Sequence, residues 1–473
     1  MAEERFAGGG YNEDAQWVGA GFFSGQGLPR RADGAENVQQ PVKGEGCCLG
    51  RGQKADRRLA VGPATILFHA EHCDRFALLL SIPSLPSRAR LDHSPPALPQ
   101  WSFAQVKEME MDTQLERTVT PFDAARAEAF MDSVAAMANA SALTTMIAIG
   151  KRTGLFETLA SMPPADSNQI AVRSGLAERY VREWLAALVM GEIIIYEPEA
   201  QTYHLPPEHA ASLTESGQLG DLGVLARLAV SLSRIEDDLV RCFQTGEGTN
   251  YHDYANFHEV MALDSAQTVV AGLFDHILPL VPGIDDRLRQ GIDVLDAGCG
   301  RGRALLTLAE HYPNSRFTGY DLCADAIEWA TGEAARRGLT NIRFRTKDMT
   351  GFDESARYDL VTSFDAVHDQ KDPGALIAGL HQALRPGGTY LMQDIGGSAR
   401  LENNRDFPMA ALLYTISCLH CTPVSLGQGG KGLGTMWGWE TAKALLEETG
   451  FSPVVKHVLP HDPMNVWFVA AKA

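Results

Sequence analysis

The run Val294-Leu295-Asp296-Ala297-Gly298-Cys299-Gly300-Arg301-Gly302 carries an apolar strand pattern into a glycine-rich turn that opens a helix. Glycines at such a turn let a ligand approach the backbone. A dinucleotide fingerprint would set its third glycine at position 303, where this chain has Arg303. Asp296 adds negative charge at the strand tip, which suits a ligand with a cationic amino group better than a pyrophosphate. Asp321 ends the next strand pattern, where a carboxylate can accept both hydroxyls of a ribose. Asp348 follows the third, where an acid can accept from an adenine amino group beside the apolar face of Met349. Any one of these acids could simply cap a helix. Three at consecutive strand ends, on the carboxyl edge of one sheet, read as a nucleoside site.

His368-Asp369 lies just beyond the fourth strand pattern. An imidazole with a pKa near roughly 6.5 can take a phenol's proton as the oxygen is alkylated, whereas the bland alternative makes His368 a loop anchor or helix cap. Cys418-Leu419-His420-Cys421, with His457 and His461 downstream, lacks the second tightly spaced pair of a tetrahedral zinc site, so no metal is assigned. The glycine-rich segment 427–439 reads as a mobile loop over the site, its Trp437 and Trp439 offering flat surface to an aromatic acceptor. Tyr251, Tyr254, Phe257 and Met261 are candidate walls of the acceptor cavity, with ordinary helix packing as the alternative for each.

The elements that must position these residues alternate strictly between strand and helix from Asp293 to Asp394. Such alternation means a parallel sheet covered on both faces. The tail adds a helix over 439–449 and strands over 452–459 and 466–471, whose short connection forces them antiparallel. Ahead of this unit, helices are expected over 154–159, 168–174 (capped by Ser167) and 178–190, with a hairpin of Ile193–Tyr196 and Thr202–Leu205. That order is a winged helix. Residues 122–153 read as two amphipathic helices, and 215–285 as helical throughout. The domain reading is therefore a leader over 1–110, a winged-helix unit over 120–215, a helical connector and substrate cap over 216–288, and an α/β domain over 289–473.

The leader has twelve glycines in its first sixty positions and a proline run from Pro83 to Pro99. It reads as disordered, or as an extension of the reading frame upstream of Met111. Its own charge is nearly balanced, so the net charge of −18 over 473 residues belongs to the rest. An acidic chain disfavours phosphate backbones, and nucleic acid is not expected as a partner. The helix 178–190 sets Arg179 and Arg182 against Glu178 and Glu183, no basic recognition face. Eight scattered cysteines do not form a disulfide framework, the amino terminus is acidic where a targeting peptide is basic, and no apolar run approaches a membrane span. A cytoplasmic protein with no membrane partner is expected.

Residues 290–473 resemble the class I S-adenosylmethionine-dependent methyltransferases. The resemblance rests on Asp296-Ala297-Gly298-Cys299-Gly300, Asp321, Lys347-Asp348-Met349, Tyr358-Asp359-Leu360-Val361 and Leu384-Arg385-Pro386-Gly387-Gly388. With the winged helix in front, residues 120–473 are similar in layout to small-molecule O-methyltransferases of secondary metabolism. The resemblance implies a seven-stranded Rossmann-like sheet with its last strand antiparallel, and S-adenosyl-L-methionine as cofactor. It implies cofactor contacts from Asp296, Gly298, Gly300, Asp321, Leu322, Asp348, Met349 and Phe364. Because Phe364-Asp365-Ala366-Val367 replaces the Pro-Pro-aromatic loop of enzymes acting on planar nitrogen, a hydroxyl oxygen is the expected target. His368-Asp369 then resembles the His-Asp pair that supplies the base in plant O-methyltransferases. The acceptor is a small molecule, and the winged-helix unit implies a homodimer. The alternative is a winged-helix transcriptional regulator that senses S-adenosylmethionine without catalysis.

Overall fold

A computed structural model describes residues 121–473 except position 219; the leader lies outside the described residues. The chain enters as one continuous helix, Ala124–Thr153, where sequence periodicity gave two. Large apolar side chains lapse between Met137 and Leu143, but the alanines, Asn139 and Ser141 that fill the gap are tolerated in a helix. Gly154, at φ +70°, ends it with backbone bonds to the Gly150 and Lys151 carbonyls. The apolar side chains of its first half have little cover, with Phe130 68% exposed and Met137 65%, whereas Leu143, Met146 and Ile147 pack against the winged-helix core. Contrary to the sequence expectation, this helix, through its alanines, and the helical segment Ala410–Gly427, through Leu, Ile, Val and Cys, are long and apolar enough by length and composition to cross a membrane.

The winged-helix unit follows as Leu155–Ala160, Ser167–Ser174, Glu178–Met190 and a hairpin of β1 (Ile195–Glu197) and β2 (Thr202–His204). Asp166, one residue before the expected Ser167, is the cap. It accepts from the Gln169 N–H at 2.9 Å while Gln169 Oε1 accepts from the Asp166 N–H at 3.0 Å, a reciprocal box. Phe156, Ile170, Leu185 and Leu188 fill the core of the unit. The connector is less regular than expected. Gly223–Leu232, Glu236–Thr245 and Phe257–Ser265 are helical, but Gly246 and Asn256 adopt left-handed conformations and break the run. Two π turns, Ala266–Val270 and Leu273–Ile277, then carry the chain to the sheet.

The sheet has seven strands: β3 (Asp293–Ala297), β4 (Arg316–Asp321), β5 (Ile342–Thr346), β6 (Tyr358–Phe364), β7 (Leu384–Ile395), β8 (Val454–Leu459) and β9 (Asp462–Ala471). Their spatial order is β5-β4-β3-β6-β7-β9-β8, with β9 antiparallel to both neighbours. This is the expected architecture. Alternate residues serve opposite faces: Leu295, Val361 and Tyr390 enter one core, and Val294, Leu360 and Leu391 the other. Strand order reverses beside β3, and in open sheets of this kind the crevice at that reversal holds the ligand.

Candidate active site

Asp296, at the end of β3, is 3% exposed and accepts from Thr362 Oγ1 at 2.7 Å. Burial pushes its carboxyl up to about 7, against the Thr362 bond and with help from the charge of Asp321. The turn beyond it is built for close packing on one side and open space on the other. Gly298, at φ +74°, has no room for a Cβ, which would sit 2.5 Å from that of Ala366. Gly300, at φ +51°, meets nothing within 4 Å of where its Cβ would be, so its backbone is bare toward the crevice. Asp321 ties this turn to β4. Its Oδ2 accepts from the Gly300 N–H at 2.8 Å and its Oδ1 from the Cys323 N–H at 2.9 Å, and each oxygen keeps a further lone pair. Asp348 Oδ1 accepts from the Thr350 N–H at 2.8 Å, beside the buried side chain of Met349. A single cavity of about 200 Å³ brings together all eight expected cofactor residues, including half-exposed Leu322 and Phe364 at the end of β6, with His368 and Asp369.

His368 is 2% exposed, and both ring nitrogens face carboxylates: Nδ1 lies 2.8 Å from Asp394 Oδ1, and Nε2 3.1 Å from Asp369 Oδ1. Burial alone would lower its pKa, but Asp394 and Asp369 outweigh that and hold the imidazole well above the ordinary histidine range. The sequence expectation of titration near 6.5 ignored both partners. Burial would raise the Asp369 carboxyl, yet the His368 charge keeps it well below its usual value.

No local pattern marks Asp394 as part of the site. Fully buried at the end of β7, it accepts from His368 Nδ1, from Trp437 Nε1 at 3.0 Å and from the Ile395 N–H at 2.8 Å. Trp437 therefore sits in the core as a donor to Asp394, where the sequence suggested a surface for the acceptor. Trp439 opens the helix Trp439–Thr449 under the Lys456 ammonium, also away from the cavity. The glycine-rich segment is stitched down: the Gly430 N–H reaches the Ser425 carbonyl at 2.8 Å, the Lys431 N–H reaches Lys371 at 3.1 Å, and Lys431 Nζ pairs with Asp372 at 2.9 Å. Only its Gln428 and Thr435 side of the segment reaches the cavity.

An aromatic wall closes the other side. Phe257 stacks on His420 with ring centroids 3.9 Å apart, and Tyr251 meets His420 edge-on at 5.5 Å. Tyr251, Phe257 and Met261 line the cavity; Tyr254 does not, its hydroxyl donating instead to the Leu419 carbonyl at 2.7 Å. Burial keeps His420 neutral, its pKa lowered to about 4. His420 and Cys421 reach the site because Ser417–Cys421 forms a π turn inside the helical segment Ala410–Gly427. Cys418 stays exposed, so the Cys-Leu-His-Cys run does not converge on one point, while His461 stacks on His276. Buried Cys421 does approach His368 and Asp369, where its thiol accepts from Thr435 Oγ1 at 2.8 Å and burial pushes its pKa up to about 12.

Residues 288–450 match the family model described as a methyltransferase domain, and residues 141–215 that of an Rv2258c-like winged HTH domain. A ubiquinone biosynthesis O-methyltransferase of Leptothrix cholodnii is 30% identical over 108 residues, 22% of this chain and 45% of that protein. The match thus spans under half the length of that relative. Methyltransferase ungE' of Aspergillus campestris is 24% identical over 363 residues, covering 72% of this chain and 95% of that one. Human N-acetylserotonin methyltransferase, solved in complex with SAM, shares the fold at a TM-score of 0.53 and 17% identity, covering 75% of this chain and 99% of that one. Fold and matches define a methyltransferase domain over 288–450 carried behind an Rv2258c-like winged HTH domain over 141–215.

Proposed function

We propose that this protein transfers the methyl group of S-adenosylmethionine to a hydroxyl oxygen of a small, aromatic acceptor. The observation that carries the reading is the single cavity in which the strand-end acids of a nucleoside site meet His368 and Asp369. The bare backbone at Gly300 and the free lone pairs of Asp321 fit the cofactor, with Asp296 and Gly298 toward its amino-acid part and Asp348 and Met349 toward its base. When bound, it supplies an electrophilic methyl group with its own leaving group. The chain's task is alignment, exclusion of water and proton removal. Asp394 fixes the imidazole by holding Nδ1, and Nε2, which faces Asp369 Oδ1 at 3.1 Å without a hydrogen bond, is the nitrogen that exchanges a proton with the acceptor. Asp369 stabilises the imidazolium from the other side. Tyr251, Phe257 and His420 keep the acceptor dry. Titration calorimetry of the purified full chain with S-adenosylmethionine, followed by mass spectrometry of a panel of phenols, tests this reading. Tight donor binding and a mass gain of one methyl on a phenol are expected, and absence of donor binding removes the reading.

The winged-helix unit supports the enzyme over the regulator, because its helix Glu178–Met190 neutralises its own arginines: Arg182 pairs with Glu178 at 3.1 Å, and Arg179 pairs with Glu183. The five cysteines among the described residues are all free thiols, which supports a reducing, cytoplasmic setting. The uncovered face of Ala124–Thr153 supports a homodimer, since a helix with side chains such as Phe130 and Met137 in water gains by burying them against a second copy. Sedimentation at micromolar concentration should give a dimer for the wild type and a monomer for the Phe130→Ser, Met137→Ser double variant. A monomeric wild type removes the dimer.

A further inference from the structure

Asp365 follows β6 in the left-handed region, at φ +52°, a conformation that a side-chain-bearing residue holds only when its surroundings impose it. Its N–H bonds to the Gln393 carbonyl at 3.1 Å, which fixes the residue against β7, and its buried Oδ1 makes no hydrogen bond, with His368 Nδ1 3.9 Å away. Beside Asp369 Oδ1, which is also without a hydrogen-bond partner, two amide oxygens line this end of the cavity. Gln393, 2% exposed, leaves Oε1 without a donor, and Asn465, 6% exposed, leaves Oδ1 without one. Asn465 cannot relieve this by flipping its amide, because its Nδ2 already donates to Asp462 Oδ1 at 2.7 Å. The register Phe364↔Gln393 and Ile395↔Asn465 brings the three to one edge of β6, β7 and β9. Orphaned buried acceptors are costly, so three together call for donors from a ligand.

The charge around them narrows what that ligand is. Every Lys or Arg that lines the cavity, namely Arg301, Arg303 and Lys347, belongs to the glycine turn or follows β5, at the donor end. The groups facing Asp365 are His368, Asp394, Asp369 and Asp264, three carboxylates against one imidazole that Asp394 and Asp369 already hold. Burial pushes the carboxyl of Asp365 up to about 7 and that of Asp264 up to about 6, so a cation arriving here would be met by groups able to ionise for it.

We propose that this end of the cavity seats a protonated amine of the acceptor, on Asp365 with the side-chain carbonyl oxygens of Gln393 and Asn465. An alkylammonium has three N–H donors to offer to these oxygens. The proposal rests on the methyltransferase reading and adds a substrate class to it: a phenol bearing a basic nitrogen, with neutral phenols and aromatic acids as poorer acceptors.

The test uses the full-length protein and two probes that share a phenol ring, tyramine and 4-ethylphenol, with calorimetry at pH 7.5 with and without saturating S-adenosylhomocysteine. Tyramine should bind about tenfold tighter or more, the effect of hydrogen bonds to a charged group. Asp365→Asn should abolish the preference while S-adenosylhomocysteine affinity, which also reports folding, stays unchanged; Gln393→Leu should reduce it. Equal affinity of the two probes, or binding of neither at millimolar concentration, overturns the proposal. So does a preference that survives Asp365→Asn, or an Asp365→Asn protein that loses S-adenosylhomocysteine instead, since the residue would then serve the donor. A wild type that binds no S-adenosylhomocysteine counts against the methyltransferase reading, while the probe preference measured without it still decides the amine site.

Discussion

Turnover of the His368→Ala protein falls by about 10² to 10⁴-fold with donor affinity intact, the range that general-base assistance supplies. The pH profile makes the result specific. Because Asp394 and Asp369 raise the imidazole pKa, the proton-accepting form becomes populated only as pH rises through that elevated value, so the acid limb of the wild-type rate lies above the ordinary histidine range. Asp394→Asn removes one of the two carboxylates. The limb should move to lower pH, and the rate at the optimum should drop as well, because a neutral amide oxygen holds Nδ1 and stabilises the imidazolium less than the carboxylate does. His368→Ala should lose the limb, with activity returning at high pH as the acceptor ionises unaided. Stopped-time assays across pH 5 to 10 with a defined phenol resolve these outcomes. Wild-type turnover and an unaltered profile in His368→Ala would reduce the residue to a loop anchor and leave alignment as the whole mechanism.

Asp321→Ala should weaken S-adenosylmethionine binding by about 10²-fold, the loss of charge-assisted acceptance of two hydroxyls, each worth roughly 1.5 to 3 kcal/mol and not fully additive. The side chain also holds the Gly300 and Cys323 N–H groups, so alanine loosens the turn as well as removing the acceptor. Asp321→Asn separates the two effects. It keeps one oxygen for the turn or the ribose but brings an NH₂ group toward a backbone donor, and its affinity should lie between those of the wild type and the alanine variant. Calorimetry reads both proteins, and unchanged affinity in a folded Asp321→Ala variant moves the donor elsewhere.

The strand-end acids were legible because each is local: an apolar run, a glycine turn or an acid at its tip, then a helix, all within a dozen residues. The partners of His368 were not. Asp394 ends a strand pattern that the sequence shows, yet its contact with His368 depends on β7 lying beside β6, a matter of sheet order and not of spacing. Gln393 and Asn465 are hidden for the same reason, and His420 and Cys421 reach the cavity only through a π turn that shifts the helical phase. Trp437 misled because composition shows an indole among glycines without showing which way it faces. The continuous helix Ala124–Thr153 misled because alanine extends a helix without marking a face.

The placement of β9 has a consequence for how the molecule is made. Among the described strands, β8 pairs only with β9, although β8 is synthesised first, and β9 inserts between it and β7. On the ribosome, β8 therefore has no neighbour to join, and the open edge of β7 waits until Asp462–Ala471 emerges. Completion of the sheet and delivery of Asn465 to the cavity are then one late, long-range event. A chain cut short just after Leu459 loses more than an edge: it leaves β8 without a partner, one side of β7 open and the Trp467 space in the core empty, a product that quality control should destroy.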